Sequence, residues 1–197
     1  DEVMEYISFP DRISSLLSSA NTVILKEGKL HSYNTDYYGV KNTLEEYLSS
    51  TGNTLAEKGK PLSALVVGAG GAGKAAAAAA ESLGMEVIRM NRTVKDYHTR
   101  PLSEFRKYFR EADIIIYNIP EAIPELKELA DSDFNTGRLK YILEANYKDP
   151  SLGKILKPFG SKAIYTGGKT WLLYQAVTGY EILTGEKPDL AKMSDVL

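Results

Sequence analysis

Leu62-Ser-Ala-Leu-Val-Val-Gly68-Ala-Gly70-Gly-Ala-Gly73-Lys-Ala75 decides the fold, together with the alanines that run on to Ala80 and the segment Glu86-Val-Ile-Arg89-Met-Asn91-Arg92-Thr93. Residues 62–67 form a compact apolar run of strand length that ends in glycine. Residues 72–83 read as a helix stopped by Gly84, and residues 86–90 as a second strand. The small side chains of the alanine run let a helix lie close against a sheet, and alanine is the strongest helix former. Gly68-Ala69-Gly70-Gly71-Ala72-Gly73 fits G-x-G-x-x-G between strand and helix, the context that gives this motif meaning. Gly68 permits the tight turn, Gly70 lets the backbone approach a pyrophosphate, and Gly73 lets helix and strand pack closely. The free N–H groups at the helix start then face phosphate oxygens. All six residues are candidate dinucleotide ligands.

The end of the second strand selects the cofactor. An NAD site places Asp or Glu there, on the ribose hydroxyls. Here the strand ends Arg89-Met90-Asn91-Arg92-Thr93, with no acid to repel a 2′-phosphate. Arg92 offers a planar fork of donors and a constant charge that suit a phosphate monoester. Thr93 and Lys95 add a hydroxyl and a second cation. The residues therefore predict NADP.

Working outward, the pattern keeps alternating. Helices are expected at 102–110, 124–130 and 171–183, strands at 113–117, 140–144 and 162–165, a short helical crossover at 151–158 and a tail helix at 190–197. Strands alternating with helices mean a mainly parallel sheet covered on both faces. Upstream, residues 22–25 and 29–33 read as two strands joined at Glu27-Gly28, since glycine supplies positive φ for a hairpin turn. Val3, Met4 and Ile7 share a helical face, Pro10 breaks it, and Ile13, Leu16 and Leu17 resume a short stripe. Residues 37–48 carry apolar positions at helical spacing, with Asp36 where an N-cap belongs. Residues 49–61 are rich in Ser, Thr, Gly and Lys and read as a linker. The expected fold class is α/β, a Rossmann-type doubly wound parallel sheet over residues 49–185. A remnant of a smaller α/β domain covers residues 1–48, completed by a C-terminal helix at 186–197, and is expected to expose strand edges.

The chain has 197 residues, no cysteine, two histidines and a net charge of −2. Disulfides, thiolate metal sites and thiol nucleophiles are thereby excluded. His31 and His98 have no partner at ligand spacing, so no metal is expected. The balanced charge gives no field for nucleic acid or an anionic membrane surface, and no apolar run reaches transmembrane length. The expectation is a cytoplasmic protein acting on a small molecule, with neither nucleic acid nor membrane as partner.

Ala20-Asn21-Thr22, Tyr33-Asn34-Thr35-Asp36, Gly68-Ala-Gly-Gly-Ala-Gly73 and Asn91-Arg92-Thr93 occur in that order. The set resembles the shikimate dehydrogenase pattern, and Gly168-Lys-Thr-Trp-Leu-Leu-Tyr-Gln175 with Leu183-Thr-Gly185 resembles that family's closing helix. The resemblance implies NADP-dependent interconversion of 3-dehydroshikimate and shikimate, a step of aromatic amino acid biosynthesis, in a cleft between two domains. It implies that Asn21 and Asp36 hydrogen-bond the ring hydroxyls. Asp36 would also pair with an acid–base lysine, Tyr147 and Gln175 would border the substrate, and Ala145 and Gly168 would flank the nicotinamide. These residue types suit the chemistry. A polyol carboxylate needs hydrogen-bonding partners at fixed positions, and such a site rejects analogues that leave its own groups unpaired. A lysine beside a carboxylate can protonate the carbonyl oxygen.

The sequence also departs from the pattern. Asp1-Glu-Val-Met-Glu-Tyr6 resembles the helix start that follows the family's lysine, so that lysine is expected to lie outside this sequence and the chain alone to be inactive. A cleavage product, a designed truncation or a divided fusion would each give this; the lost N-terminal segment or a homodimer mate would then be its partner. The family's Asn-Ala-Thr-Pro becomes Tyr117-Asn-Ile-Pro120, its Asp-x-x-Tyr becomes Glu144-Ala-Asn-Tyr147, and the methionine of the last helix becomes Trp171. Trp171 would stack near the nicotinamide or fill the cleft. Two alternatives stay open: a quinate-type dehydrogenase on another cyclic hydroxy acid, and a non-catalytic NADP-binding module.

Overall fold

The glycine-bearing strand takes a central place in a six-stranded, all-parallel sheet. The computed structural model describes residues 2–52, 60–94, 96–134 and 139–197; Lys95 and most of the expected linker lie outside them. The sheet is built from β4 (Ser63–Val67), β5 (Glu86–Asn91), β6 (Thr99–Pro101), β7 (Ile114–Tyr117), β8 (Lys140–Glu144) and β9 (Ala163–Thr166), in the order β6-β5-β4-β7-β8-β9. The chain moves outward from β4 to β6, then returns to the other side of β4 and moves outward again to β9. This is the doubly wound Rossmann order, whose switch point lies between β4 and β7. The short edge strand β6 has no counterpart in the sequence reading, because three residues carry no measurable periodicity.

Alternation along the strands divides the core. Ala64, Val66, Ile114, Ile116, Tyr141 and Leu143 face one layer, where they meet α2 (Thr35–Thr51), α3 (Gly71–Ser82) and α6 (Lys169–Thr184). Leu65, Val67, Ile115, Tyr117 and Ile142 face the other, against α4 (Phe105–Glu111), α5 (Leu152–Leu156) and the turns between them. The three isoleucines of β7 are at most 1% exposed, and burying each contributes roughly 1.5–3 kcal/mol. In α3, five alanines are buried, which brings this helix close to the sheet.

The N-terminal residues form a separate three-stranded sheet. Its strands are β1 (Phe9–Pro10), β2 (Thr22–Lys26) and β3 (Lys29–Tyr33), in the order β1-β3-β2, with α1 (Arg12–Leu17) beside them. β2 and β3 form the expected antiparallel hairpin, and Glu27 and Gly28 turn at φ 52° and 72°, the left-handed pair that a two-residue hairpin requires. Buried Ser14 and Ser32 join α1 to β3 through an Oγ–Oγ hydrogen bond of 2.9 Å. β2 is an edge, and its Leu25 is 72% exposed.

Two boundaries differ from expectation. The N-cap of α2 is Asn34, whose side chain accepts from Tyr37 N, not Asp36. Asn34 has extended backbone, as a cap does, whereas Asp36 lies two residues on, inside the first turn. At its other end α2 runs to Thr51 and stops at Gly52, where φ is 60°. A final helix, α7 (Leu190–Ser194), packs on α6.

Candidate active site

The turn after β4 owes its shape to contact. Gly68 has a φ of 100° and donates its N–H to Met90 O at 2.8 Å. A Cβ on Gly73 would fall 1.9 Å from Gly68 O, so only glycine lets α3 approach the turn. Gly70 caps α3 and has nothing within 4 Å of its Cβ position, leaving its backbone open to a ligand. Gly71 lies beside Ser19, with its Cβ position 3.3 Å from Ser19 Oγ, so the segment that follows α1 abuts the start of α3.

Two cavities flank this turn, one on each side of the switch point. The first, about 400 Å³, is lined by Ala69, Gly70, Gly71, Gly73, Lys74, Arg89, Asn91, Thr93, Asp96 and Thr99. It brings together six of the twelve expected cofactor residues, Ala69, Gly70, Gly71, Gly73, Asn91 and Thr93. Gly68, Ala72 and the exposed Arg92 lie outside its lining. Arg89 and Lys74 were not foreseen. Arg89 could have been found, because residues 89 and 91 of one strand share a face. Asp96 places an acid in the cavity despite the acid-free strand end. Its slight desolvation would raise the carboxyl, but bonds from Thr99 Oγ1 (3.1 Å) and His98 N (2.8 Å) and the Arg89 charge outweigh this and hold it below its ordinary value.

The second cavity, about 340 Å³, is lined by residues 118–120 and 145–148, at the ends of β7 and β8. Asn118 N donates to Val67 O (2.8 Å), and a Cβ on Gly68 would lie 3.3 Å from Asn118 Cβ, so Asn118 forms the wall beside the glycine turn. Asn118 Oδ1 is buried without a partner among the described residues. The loop is shaped by Tyr117, whose buried hydroxyl donates to Glu121 O (2.7 Å) and accepts from Ile123 N (3.0 Å). Asn146 bridges the walls, donating to Pro120 O (3.3 Å) and Asp149 O (2.7 Å). Ala145 and Gly168 are packed together, since a Cβ on Gly168 would fall 2.2 Å from Ala145 O. Tyr147 lines this cavity and is 41% exposed. Buried Glu144 accepts from Ser151 N (2.7 Å), Leu152 N (3.1 Å) and Tyr165 Oη (2.6 Å), which anchors α5.

Two of the four expected substrate residues, Asn21 and Asp36, meet at the start of α2. Asn21 Oδ1 accepts from Thr35 N (2.8 Å) and Thr35 Oγ1 (3.2 Å), and the Asn21 amide lies close enough to Asp36 to favour its charged form. Asp36 Oδ1 accepts from Trp171 Nε1 at 3.2 Å. Burial raises the Asp36 carboxyl, and the bonds from Trp171 and then Asn21 oppose it. Trp171 thus lies between α2 and α6, bonded to the carboxylate. Gln175 is half-buried one turn further along α6 and shares the Trp171 face.

Among the described residues, no group of three or more His, Cys, Asp or Glu could hold a metal, and no helix is long and apolar enough to cross a membrane.

Residues 38–134 match the family model of the D-isomer specific 2-hydroxyacid dehydrogenase, NAD binding domain. The crystal structure of shikimate 5-dehydrogenase from Thermus thermophilus in complex with shikimate is 25% identical, with a TM-score of 0.72 over 98% of this chain and 72% of that one. Quinate dehydrogenase from Corynebacterium glutamicum in complex with NAD shares the fold at a TM-score of 0.74 and 20% identity, over 98% of this chain and 72% of that one. Shikimate dehydrogenase (NADP(+)) from Archaeoglobus fulgidus is 30% identical over 99% of this chain and 73% of its own length. That alignment takes in the small sheet and the glycine turn alike, and on it the chain belongs to the shikimate dehydrogenase family.

Proposed function

We propose that this chain binds NADP and serves the reversible reduction of 3-dehydroshikimate to shikimate. The observation that carries the reading is the meeting of Asn21 and Asp36 at the start of α2, in a unit that touches the glycine helix through Ser19. A pure cofactor module has no use for such a polar pair.

The residues present fit the dinucleotide. Gly70 leaves open backbone where a phosphate must approach, and the first N–H groups of α3 face it. Arg89, Asn91 and Thr93 line the place for a 2′-phosphate, with Arg92 next to them in the sequence; Lys95 lies outside the described residues. Ala145 and Gly168 would border the nicotinamide, beside the unpaired Asn118 Oδ1, which a donor on the ligand would satisfy. Bound NADP supplies the hydride chemistry. The chain's own residues orient the substrate: Asn21 and Asp36 hold ring hydroxyls, with Gln175 and Tyr147 at the borders. Asp36 would also pair with an acid–base lysine. In this reading residues 1–48, with the C-terminal helix, are the substrate side, and residues 49–185 the nucleotide side.

The second reading is oxidation of quinate or a similar cyclic hydroxy acid with NAD, favoured by Asp96 in the first cavity, where an acid opposes a 2′-phosphate. Oxidation of shikimate and of quinate, each with NADP and with NAD and followed by reduced nicotinamide absorbance, separates the two. Turnover confined to shikimate and NADP supports the first. Turnover of quinate with NAD replaces it with the second. Dinucleotide binding without turnover of either acid by the full-length protein leaves a binding module.

A further inference from the structure

We propose that Trp171 is a positioning residue for Asp36, holding its carboxylate ionised and oriented towards the substrate; this rests on the reading of Asp36 as a substrate ligand. Trp171 is 3% exposed, and a buried indole N–H needs an acceptor. It finds Asp36 Oδ1 at 3.2 Å, across 135 residues of sequence. α2 has made room for the ring. Gly39 lies three residues beyond Asp36, and a Cβ there would fall 2.6 Å from Trp171 Cδ1 and 2.8 Å from Trp171 O. Gly39 and Trp171 are thus complementary: the missing side chain on one helix admits the indole of the other. Simple filling of a cleft does not require that the only N–H of the ring meet a carboxylate expected to bind substrate.

The electrostatic surroundings leave this role to the indole. Burial raises the Asp36 carboxyl, Trp171 is the larger of the two hydrogen-bonding groups that oppose it, and Asn21 is the other. The charged residues further along α2, Lys41 and Glu45, pair with each other at 2.6 Å. On α6, Lys169 Nζ donates to Leu197 O. The same helix start also carries Gly168, packed on Ala145 at the second cavity. One rigid turn therefore fixes both the carboxylate and a wall of the expected nicotinamide site.

The test is Trp171→Phe, which keeps an aromatic ring and removes the donor. The first readout is the titration of the Asp36 carboxyl carbon by NMR in the protein without substrate. The midpoint should move up, because a hydrogen bond to the charged form is lost. Gly39→Ala, which keeps both side chains but displaces the indole, should move it the same way. The second readout is kinetics: KM for shikimate should rise roughly tenfold for loss of a charge-assisted hydrogen bond, with a smaller change in kcat and none in NADP affinity. An unmoved Asp36 midpoint in folded Trp171→Phe protein overturns the proposal, as does a moved midpoint with an unchanged KM. If the wild type turns over no shikimate, the proposed substrate fails, and the midpoint still decides whether Trp171 governs Asp36.

Discussion

Lys140 opens β8 inside the sheet and is 0% exposed, so its replacement by methionine sets two large effects against each other. Its Nζ donates to Phe109 O (2.8 Å), Arg110 O (3.2 Å) and Ala112 O (2.6 Å). These are carbonyls at the C-terminal end of α4, which a helix leaves without internal partners and where the helix dipole favours a cation. Lys140→Met orphans all three, at about 2 kcal/mol each and so about 6 kcal/mol together. The opposing effect is desolvation of the ammonium. Burial, only partly offset by the charges of Asp113 and Asp133, pulls Lys140 from its ordinary 10.5 down to about 8. At roughly 1.4 kcal/mol per pH unit, the variant recovers about 3 kcal/mol at neutral pH. The bonds win, and the variant should be less stable by about 3 kcal/mol, a fall in Tm of roughly 6–12 °C for a domain of this size. Guanidinium unfolding at pH 7 measures it. The pH dependence supplies an independent check. A lysine with a depressed pKa in the fold carries its full penalty below about 8 and loses it as pH approaches 10.5. Wild-type stability relative to the variant should therefore rise between pH 8 and 10. A variant as stable as the wild type at pH 7, or a difference that does not change over that range, would refute the reasoning.

Gly73→Ala should weaken NADP binding at least tenfold in a calorimetric titration, because its Cβ would fall 1.9 Å from Gly68 O and must push α3 off the glycine turn. Unchanged affinity would show that the turn does not carry the cofactor. Arg89→Gln should weaken NADP binding several-fold and leave NAD binding alone, and Asp96→Asn should raise the preference for NADP over NAD by roughly threefold, since both residues line the first cavity. Asp133 should make the protein acid-sensitive. Burial would raise its carboxyl, but bonds from Ala130 N, Arg110 and Arg106 outweigh this and hold it below its ordinary 3.8. Its contribution is present above the unfolded value and lost as pH falls through the folded one. Asp133→Asn should therefore flatten the acid limb of stability measured by chemical unfolding between pH 5 and 3.

The local pattern was enough for the frame of this protein. Strand, glycine turn and alanine helix are contiguous, so their periodicity and spacing announce β4, α3 and β5 before any coordinates are known. The hairpin at Glu27-Gly28 and the grouping of Asn21 with Asp36 were legible for the same reason, through turn chemistry and ordered motifs. Where a residue's role depends on a distant partner, the chain order carried no signal. Asn34 and Asp36 are both good caps, and only the path of α2 chose Asn34. Asp96 follows a strand end that itself holds no acid, and only the fold of residues 96–99 returns it to the cavity beside Arg89. Lys140 was only the first residue of an expected strand, and the docking of α4 gave its ammonium three carbonyls. The sequence left Trp171 either near the nicotinamide or filling the cleft, and the packing of α6 on Gly39 buries its ring and gives its N–H a carboxylate. Periodicity is a property of neighbours along the chain and is fixed by local sterics, whereas burial, pairing and proton affinity belong to neighbours in space, and those exist only once the helices have docked on the sheet.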